Sequence, residues 1–439
     1  MAAQTSDQNV LLVHAHDLGR YLGCYGEDVQ TPRIDDFADE GVQLSDYYCS
    51  APQCGPSRAS MNTGMYPHTN GLMGHYWLGW GLHDDVQTMP QLLQDNGYRT
   101  YLFGIEHMGP DPDELGYDVV GTEATRVRDG EITDRVVETI HEEAGSDDPF
   151  YASVGFFETH RENIHDGWGF KNDAYDSPDP DAVDPPAYLP DRPGVREDIA
   201  GLQGMVEAVD EAFAEVLDAV DDAGIAEDTL VIFTTDHGIA FPRAKGMCYD
   251  PGMETALLAR HPTLEPGTRD ELLSNVDLLP TVGEFLGIDV PDQVEGRSFH
   301  PLLAGDTYEE RDHIFLEMTF HDKYNPVRGI RTNDEKYLRT FDDQPLVYLP
   351  LDILHGPAGQ EMYQEYYGEQ RPEEEFYDLT EDPLEADNRI DDPAYRAEVE
   401  KLRSRLDAWM ERTYDPLLDG DVPVPPEHVE VLKKYPWDG

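Results

Sequence analysis

Cys54, Pro56, Ser57 and Arg58 fall within five positions of one another. Pro56 suits the first turn of a helix, where its missing N–H costs nothing. Cys54 then lies at or just before the helix N-terminus, facing backbone N–H groups without intrahelical partners. That position favours anions and lowers a thiol pKa. Arg58 follows four residues on and offers a fixed fork of donors to an oxyanion. The local reading is an anion site with a reactive side chain at its centre. A lone cysteine is more often a small core residue, so the weight rests on the whole run. Four further clusters can bind metal or move protons: His16-Asp17, His107, His160-Arg161 and Asp236-His237. Asp17, Asp236 and His237 are natural metal ligands. Two carboxylates suit a hard divalent cation, and imidazole widens the choice towards Mn2+ or Zn2+. Singly, an aspartate at a strand end is usually a cap or turn former; the joint pattern points to chemistry.

Each of these four clusters follows an apolar run that reads as a buried strand: Val10 to Val13, Tyr98 to Phe103, Phe150 to Phe157 and Thr229 to Thr234. In open parallel sheets, ligands bind beyond the carboxyl ends of the strands. The clusters are therefore expected to converge although they lie far apart in the chain. Helices are expected from Thr31 to Ala38, from Thr88 to a stop at Gly97, from Ile132 to Glu143 and from Asp277 to Leu286. The longest starts at Asp198, with Leu202, Met205, Val209, Phe213, Val216 and Val220 at steps of three and four, and ends at Gly224. Tyr66 to Gly71 reads as a turn, and the Pro- and Asp-rich stretch from Lys171 to Gly194 as a long surface loop. This alternation predicts an α/β fold over residues 1–312, a mostly parallel sheet sandwiched by helices. After that the texture changes. Strands at His313 to Met318, Val327 to Thr332 and Lys336 to Phe341, and a last helix from Pro393 to Arg412, predict a smaller α+β subdomain over residues 313–439. Between Asp342 and Pro372, Tyr348, His355, Tyr363, Tyr366 and Tyr367 read either as an aromatic wall for a sugar or as a packed surface loop. His321, Arg328 and Arg331 are candidates to reach the pocket from the second domain.

The 439 residues carry a formal net charge of -60, and only seven of the 31 basic residues are lysine. The acid is spread along the chain, and its self-repulsion is tolerable at high salt, which predicts a halophile's protein. The same charge argues against nucleic acid or an anionic membrane as partner. Four cysteines are too few and too scattered for a disulfide framework. Met1 to Asp7 has no basic region or long apolar run, so no signal peptide or membrane span is visible. The expected location is the cytoplasm, with export by another route left open. Nothing in the sequence specifies an oligomeric state.

The run from Cys54 to Gly64 resembles the signature of formylglycine-dependent type I sulfatases, Cys-x-Pro-Ser-Arg-x-x-x-x-Thr-Gly, and matches it at every fixed position. The resemblance runs in order from residue 9 to about residue 410 and implies an alkaline-phosphatase-like fold. It further implies that a separate maturation enzyme oxidises Cys54 to formylglycine, whose hydrated aldehyde is the nucleophile. Asn9 to Gly26 is similar to the family's opening segment, where two adjacent acidic residues bind metal. Asp17 carries over, and His16 stands at the first acidic position. Asp236-His237 stands where the family has Asp-Asn or Asp-His. The implied ligands are His16, Asp17, Asp236, His237 and the oxidised Cys54. The implied cofactor is a divalent cation, Ca2+ first, with Mg2+, Mn2+ or Zn2+ as alternatives because His16 replaces an acid.

Gly104 to His107 resembles the family's Gly-Lys-x-His. The match implies that His107 steers or deprotonates the formylglycine hydroxyl, while Ile105 replaces a sulfate-binding lysine. His160 matches the histidine that binds sulfate and protonates the leaving group. Lys245 fits a later active-site lysine, with Arg243 its close competitor. Arg161, Arg243 and His321 are the candidate substrate-binding residues. Phe376 to Pro383 is similar to a segment common near sulfatase C-termini. Thr159 to Arg161 and Ile239 to Pro242 look closest to the heparan N-sulfatase branch.

The implied activity is hydrolysis of a sulfate ester or sulfamate, from a sulfated sugar or an aryl sulfate. Arg58, Lys245 and the metal would stabilise charge on the sulfo oxygens, and His160 would donate the proton. Two other readings stand beside it. One is a phosphonate monoesterase or phosphodiesterase, because phosphate and sulfate ask for similar cations. The other is a sugar-sulfate binding protein without catalysis, suggested by Ile105 and His16.

Overall fold

The computed structural model describes residues 8–434 apart from 123, 147, 165–166 and 171–173. Met1 to Asp7 and the start of the expected Lys171–Gly194 loop lie outside the described residues. An eight-stranded sheet has the order Gly267–Arg269, Val42–Leu44, Leu257–Arg260, Thr229–Thr235, Asn9–Ala15, Phe150–Phe156, Arg99–Gly104, Val119–Thr122. All neighbours pair in parallel except at Leu257–Arg260, which is antiparallel to both of its own. The four strands that carry the predicted clusters are adjacent, at the centre of the sheet. Their ends span only about 15 Å at the usual strand spacing.

Both faces of the sheet are covered, as alternation along Val10 to Val13 requires. Leu11 and Val13 pack with Ile34, Phe37, Ile132, Val136, Ile199 and Val206 of three helices. Val10 and Leu12 pack with Ala59, Met61, Leu92 and Leu278 on the other side. The long helix spans Pro193–Asp222 and opens on Pro193, five residues before the expected start. Asp198 lies inside its first turns, buried, where it meets the Arg161 guanidinium at 2.8 Å. The helix expected from Pro393 spans Arg396–Arg412, after a 3-10 turn at Pro393–Tyr395, and it is not the last, because the helix Pro426–Lys434 follows it.

A separate antiparallel sheet has the order Ile314–Phe320, Tyr324–Arg331, Glu335–Thr340, Glu374–Asp378. It begins just after the expected boundary at residues 312 and 313. Phe315, Ile330, Tyr337 and Phe376 of this sheet meet Val399, Leu402, Leu406 and Trp409 of the helix Arg396–Arg412 in a core that also takes in Tyr66 and Val276 of the catalytic half. Between its last two strands the chain forms the helices Leu351–Leu354 and Pro357–Tyr367 rather than an irregular loop. Tyr348 and Tyr366 are buried there, Tyr363 and Tyr367 stack on each other at 4.7 Å, and Tyr348 and Tyr367 line a cavity of about 450 Å3 with Lys323 and Tyr324. Among the described residues no helix is long and apolar enough to cross a membrane.

Candidate active site

Cys54 is the first residue of the helix Cys54–Thr63, which ends at Gly64 with φ 67°. This helix is tied to the sheet at its first turn. The Ser57 hydroxyl donates to the Asp236 carbonyl, and Asn275 Nδ2 donates to Ser57 Oγ at 2.9 Å. Cys54 is thereby held over the carboxyl ends of the central strands. Three of those ends turn through left-handed backbone at non-glycine residues: Asp17 (φ 47°), His107 (φ 65°) and Thr159 (φ 75°). Such conformations cost free energy, of order 1–3 kcal/mol each, and concentrate at functional sites. Gly104, with φ 75°, has no room for a Cβ, which would meet the Gly155 carbonyl oxygen at 2.2 Å.

The buried centre is a network of opposite charges. Asp17 Oδ2 accepts from Lys245 Nζ at 2.7 Å, and Asp17 Oδ1 faces His16 Nδ1 at 2.6 Å and His237 Nε2 at 3.0 Å. Asp236 Oδ1 accepts from the Asp17 backbone N–H at 2.9 Å, and its Oδ2 accepts from Arg58 Nε at 3.1 Å. Arg58 also reaches His14, which is fixed from behind by Ser153. His16 Nε2 lies 3.3 Å from His107 Nδ1. Burial acts against the charge on Asp17, but Lys245 and the surrounding histidines outweigh it and hold the carboxyl well below its usual range. Burial also acts against the Cys54 thiolate. Hydrogen bonds from His16 and His237 outweigh it and bring the thiol down to about 7.

The donor set fits a divalent cation. The ligand atoms of His16, Asp17, Asp236 and His237 lie within 4.8 Å of one another. His237 Nδ1 donates to the Gly238 carbonyl at 2.9 Å, which leaves Nε2 facing the carboxylates. That Nε2 is buried and makes no aligned hydrogen bond. A lone pair 3.0 Å from a carboxylate oxygen is repulsive unless a proton or cation joins them. Accordingly the two aspartates outweigh burial and raise His237 to about 10 when no metal is bound.

A cavity of about 280 Å3 opens over Cys54, His107, His160 and Lys245. His160 stacks on Phe157 at 4.7 Å, and its Nε2 lies 3.4 Å from Lys245 Nζ. Burial and the neighbouring lysine lower this imidazole to about 3. His321 reaches the cavity from the second sheet.

The other candidate arginines are held elsewhere. Arg161 is fully buried, spanned by Asp198, the Ala240 carbonyl and the rings of Phe170 and Phe241. Arg243 donates to the carbonyls of Leu384 and Glu385 and lies over Tyr249. Arg328 pairs with Asp415 and Arg331 with Asp250. The cavity instead uses residues the sequence reading passed over. His75 lies 3.8 Å from Cys54 Sγ, stacked flat on Trp77. Asp352 takes a 2.9 Å bond from Lys245 Nζ, and Trp168 and Asp322 complete the wall. The signal for His14 was available, since alternation along a strand puts it on the same side as His16.

A family model described as sulfatase matches residues 8–288, and a second, the C-terminal part of N-sulphoglucosamine sulphohydrolase, matches residues 237–370. Human N-sulphoglucosamine sulphohydrolase is 28% identical, covering 93% of this chain and 91% of its own. A Bacteroides fragilis protein solved as a candidate sulfatase superposes with a TM-score of 0.76 at 20% identity, over 96% of this chain and 100% of its own. A phosphonate monoester hydrolase of Silicibacter pomeroyi reaches 0.71 at 19% identity, over 92% and 96%. These two likenesses describe the shared fold. The sulfatase match covers well over half of the sequence and includes every central strand and Cys54, so the chain belongs to the sulfatase family and is a sulfuric ester hydrolase.

Proposed function

We propose that this enzyme removes a sulfo group, O- or N-linked, from a sulfated sugar. Its nucleophile would derive from Cys54, and Asp17, Asp236, His237 and His16 would hold a divalent cation. The observation that carries the proposal is the meeting of Cys54, Arg58, His107, His160 and Lys245 at the ends of four adjacent strands, beside that donor set. The name of the human relative, with a C-terminal match of the same description, supports a sulfated amino sugar.

A formylglycine at position 54 would supply, as its hydrate, one hydroxyl to take the sulfo group and a second whose deprotonation releases sulfate, for a net addition of water across the S–O or S–N bond. A bound cation would polarise that hydroxyl and the sulfo oxygens. The chain's own side chains do the rest. Arg58 and Lys245 are preorganised by Asp236 and by Asp17 with Asp352, so they meet developing negative charge without reorganising. His107 stays neutral, because burial and then His16 push it well below the usual range, which suits proton acceptance. Burial and then Lys245 keep His160 neutral against the opposing pull of Asp17 and Asp352. The negative charge of a bound sulfo group opposes the lysine and loads His160 for donation to the leaving atom.

The test is the mass of the Cys54 peptide from protein co-produced with a maturation enzyme, paired with turnover of 4-nitrophenyl sulfate and 4-nitrophenyl phosphate. An aldehyde with faster sulfate turnover is expected. An unmodified thiol, with maturation shown on a control sulfatase, would remove the nucleophile assignment, and faster phosphate turnover would move the substrate class. The net charge of -60 further supports work in molar salt, and the melting temperature is expected to fall in dilute buffer.

A further inference from the structure

Two polar side chains in the wall of the cavity carry buried atoms without an aligned hydrogen bond among the described residues. Asp352 is 6% exposed; its Oδ2 accepts from Lys245 Nζ, and its Oδ1 makes no hydrogen bond to the described residues. His321 is also 6% exposed, and neither ring nitrogen makes an aligned hydrogen bond, although Nδ1 lies 3.1 Å from Asp322 Oδ2. Both line the cavity that holds Cys54. Buried polar atoms of this kind are rare because leaving them unpaired is costly. A ligand that satisfies them is the natural resolution.

The sulfo group cannot be that ligand for Asp352. It presents only acceptor oxygens, and a carboxylate repels it. Asp352 therefore belongs to the other side of the scissile bond. Its position agrees, because its carboxylate and the His160 ring lie within 4.8 Å of each other, and His160 is the group placed to protonate the leaving atom. What comes next to that atom in the leaving group faces Asp352.

Resting on the hydrolase reading above, we infer that Asp352, with His321 beside it, is a specificity determinant that selects leaving groups carrying a hydroxyl or amino donor on a carbon adjacent to the one that bears the sulfated atom. The carboxylate accepts from that donor, and the imidazole takes a second polar group of the same ring. A sugar supplies both, whereas an aryl or plain alkyl group supplies neither. Lys245 links the two halves of the site: Asp17 holds it towards the metal ligands and Asp352 holds it towards the leaving group.

The experiment compares kcat/KM of the matured enzyme on two substrates with the same scissile bond. One is whichever it cleaves faster of glucosamine N-sulfate and glucosamine 3-sulfate, both of which carry a hydroxyl or amino group on the adjacent ring carbon. The other is cyclohexylsulfamate or cyclohexyl sulfate, which lacks ring hydroxyls. Asp352→Asn is expected to slow both, since Lys245 loses a charged partner, but to lower the sugar-to-cyclohexyl ratio by about 10-fold or more, as for a hydrogen bond to a charged group. His321→Gln is expected to lower the same ratio about 3-fold, as for a neutral hydrogen bond. Equal losses on both substrates in the two variants would overturn the proposal and leave Asp352 as a positioning residue for Lys245. A wild-type enzyme that does not prefer the sugar would overturn it as well. Turnover of 4-nitrophenyl sulfate by the wild type reports the underlying hydrolase separately, so its loss would strike that reading first.

Discussion

Two buried clusters of charge lie in this molecule, and they are built to opposite ends. One is the active site. The other joins the catalytic half to the second sheet: Lys336 Nζ meets Asp250 Oδ1 at 2.5 Å and Glu385 Oε1 at 2.6 Å, while Arg331 holds Asp250 at 3.0 Å. Two carboxylates there face two cations, and the charges balance. At the active site Asp17, Asp236 and Asp352 share two fixed cations among the described residues, Arg58 and Lys245, and otherwise face imidazoles. The deficit falls on His237, which takes up a proton when no metal is present. Burial alone therefore does not mark a site; an unbalanced charge with unpaired polar atoms does.

The largest effect should come from Cys54→Ala. Turnover of 4-nitrophenyl sulfate is expected to fall at least about 10^3-fold, with a stability change of only about 1 kcal/mol in urea unfolding. A variant that keeps a tenth of the activity would break the comparison at its centre. Metal removal should act on the same cluster through different groups. A chelator is expected to abolish turnover and to lower stability by roughly 3 kcal/mol when the cation had stood at about 100 times its Kd. Restoring the cation should restore both. A melting temperature indifferent to chelator and cation would mean that the open donor set holds no ion.

The balanced cluster should respond in the reverse way. Lys336→Met leaves Asp250 and Glu385 without their shared cation, and is expected to cost about 3–5 kcal/mol of stability. Turnover per folded molecule should stay near wild type, because Lys336 lies outside the cavity. A large loss of kcat in a variant that remains folded would show the two clusters to be coupled.

The placement of Asp17, His107, His160 and Asp236 was legible because each follows an apolar run long enough to read as a strand, and parallel strands bring such ends together. The edge strand Gly267–Arg269, its neighbour Val42–Leu44 and the antiparallel Leu257–Arg260 were not, since three or four residues carry almost no periodicity. Asp198 looked like a helix cap because the sequence shows a short acid before an apolar stripe. Only the fold reveals that it neutralises Arg161 inside the helix. Arg161 itself was chosen for its place beside His160, but the two side chains part: one lines the cavity and the other is sealed in the core. Asp352, His75 and Trp77 sit in segments where tertiary contacts, rather than pattern, decide what faces the cavity.

Glu106 sharpens the comparison from a third side, with the smallest effect. It stands next to Ile105, is buried, and makes no ion pair among the described residues; its carboxylate accepts from the Met108 backbone N–H at 2.9 Å. Burial raises it to about 7, against the lowering pull of that backbone bond and of Arg58. A carboxyl raised in the folded state stabilises fully below its ordinary pKa, near 4.5, and that contribution is lost as pH rises through about 7. At pH 9 the loss amounts to at most about 3 kcal/mol. Glu106→Gln keeps an acceptor for Met108 and cannot ionise. It should match wild type in urea unfolding at pH 4.5 and exceed it at pH 9. Parallel stability curves for the two proteins across that window would mean that Glu106 is already ionised and compensated, and that a buried acid here needs neither a paired cation nor a proton.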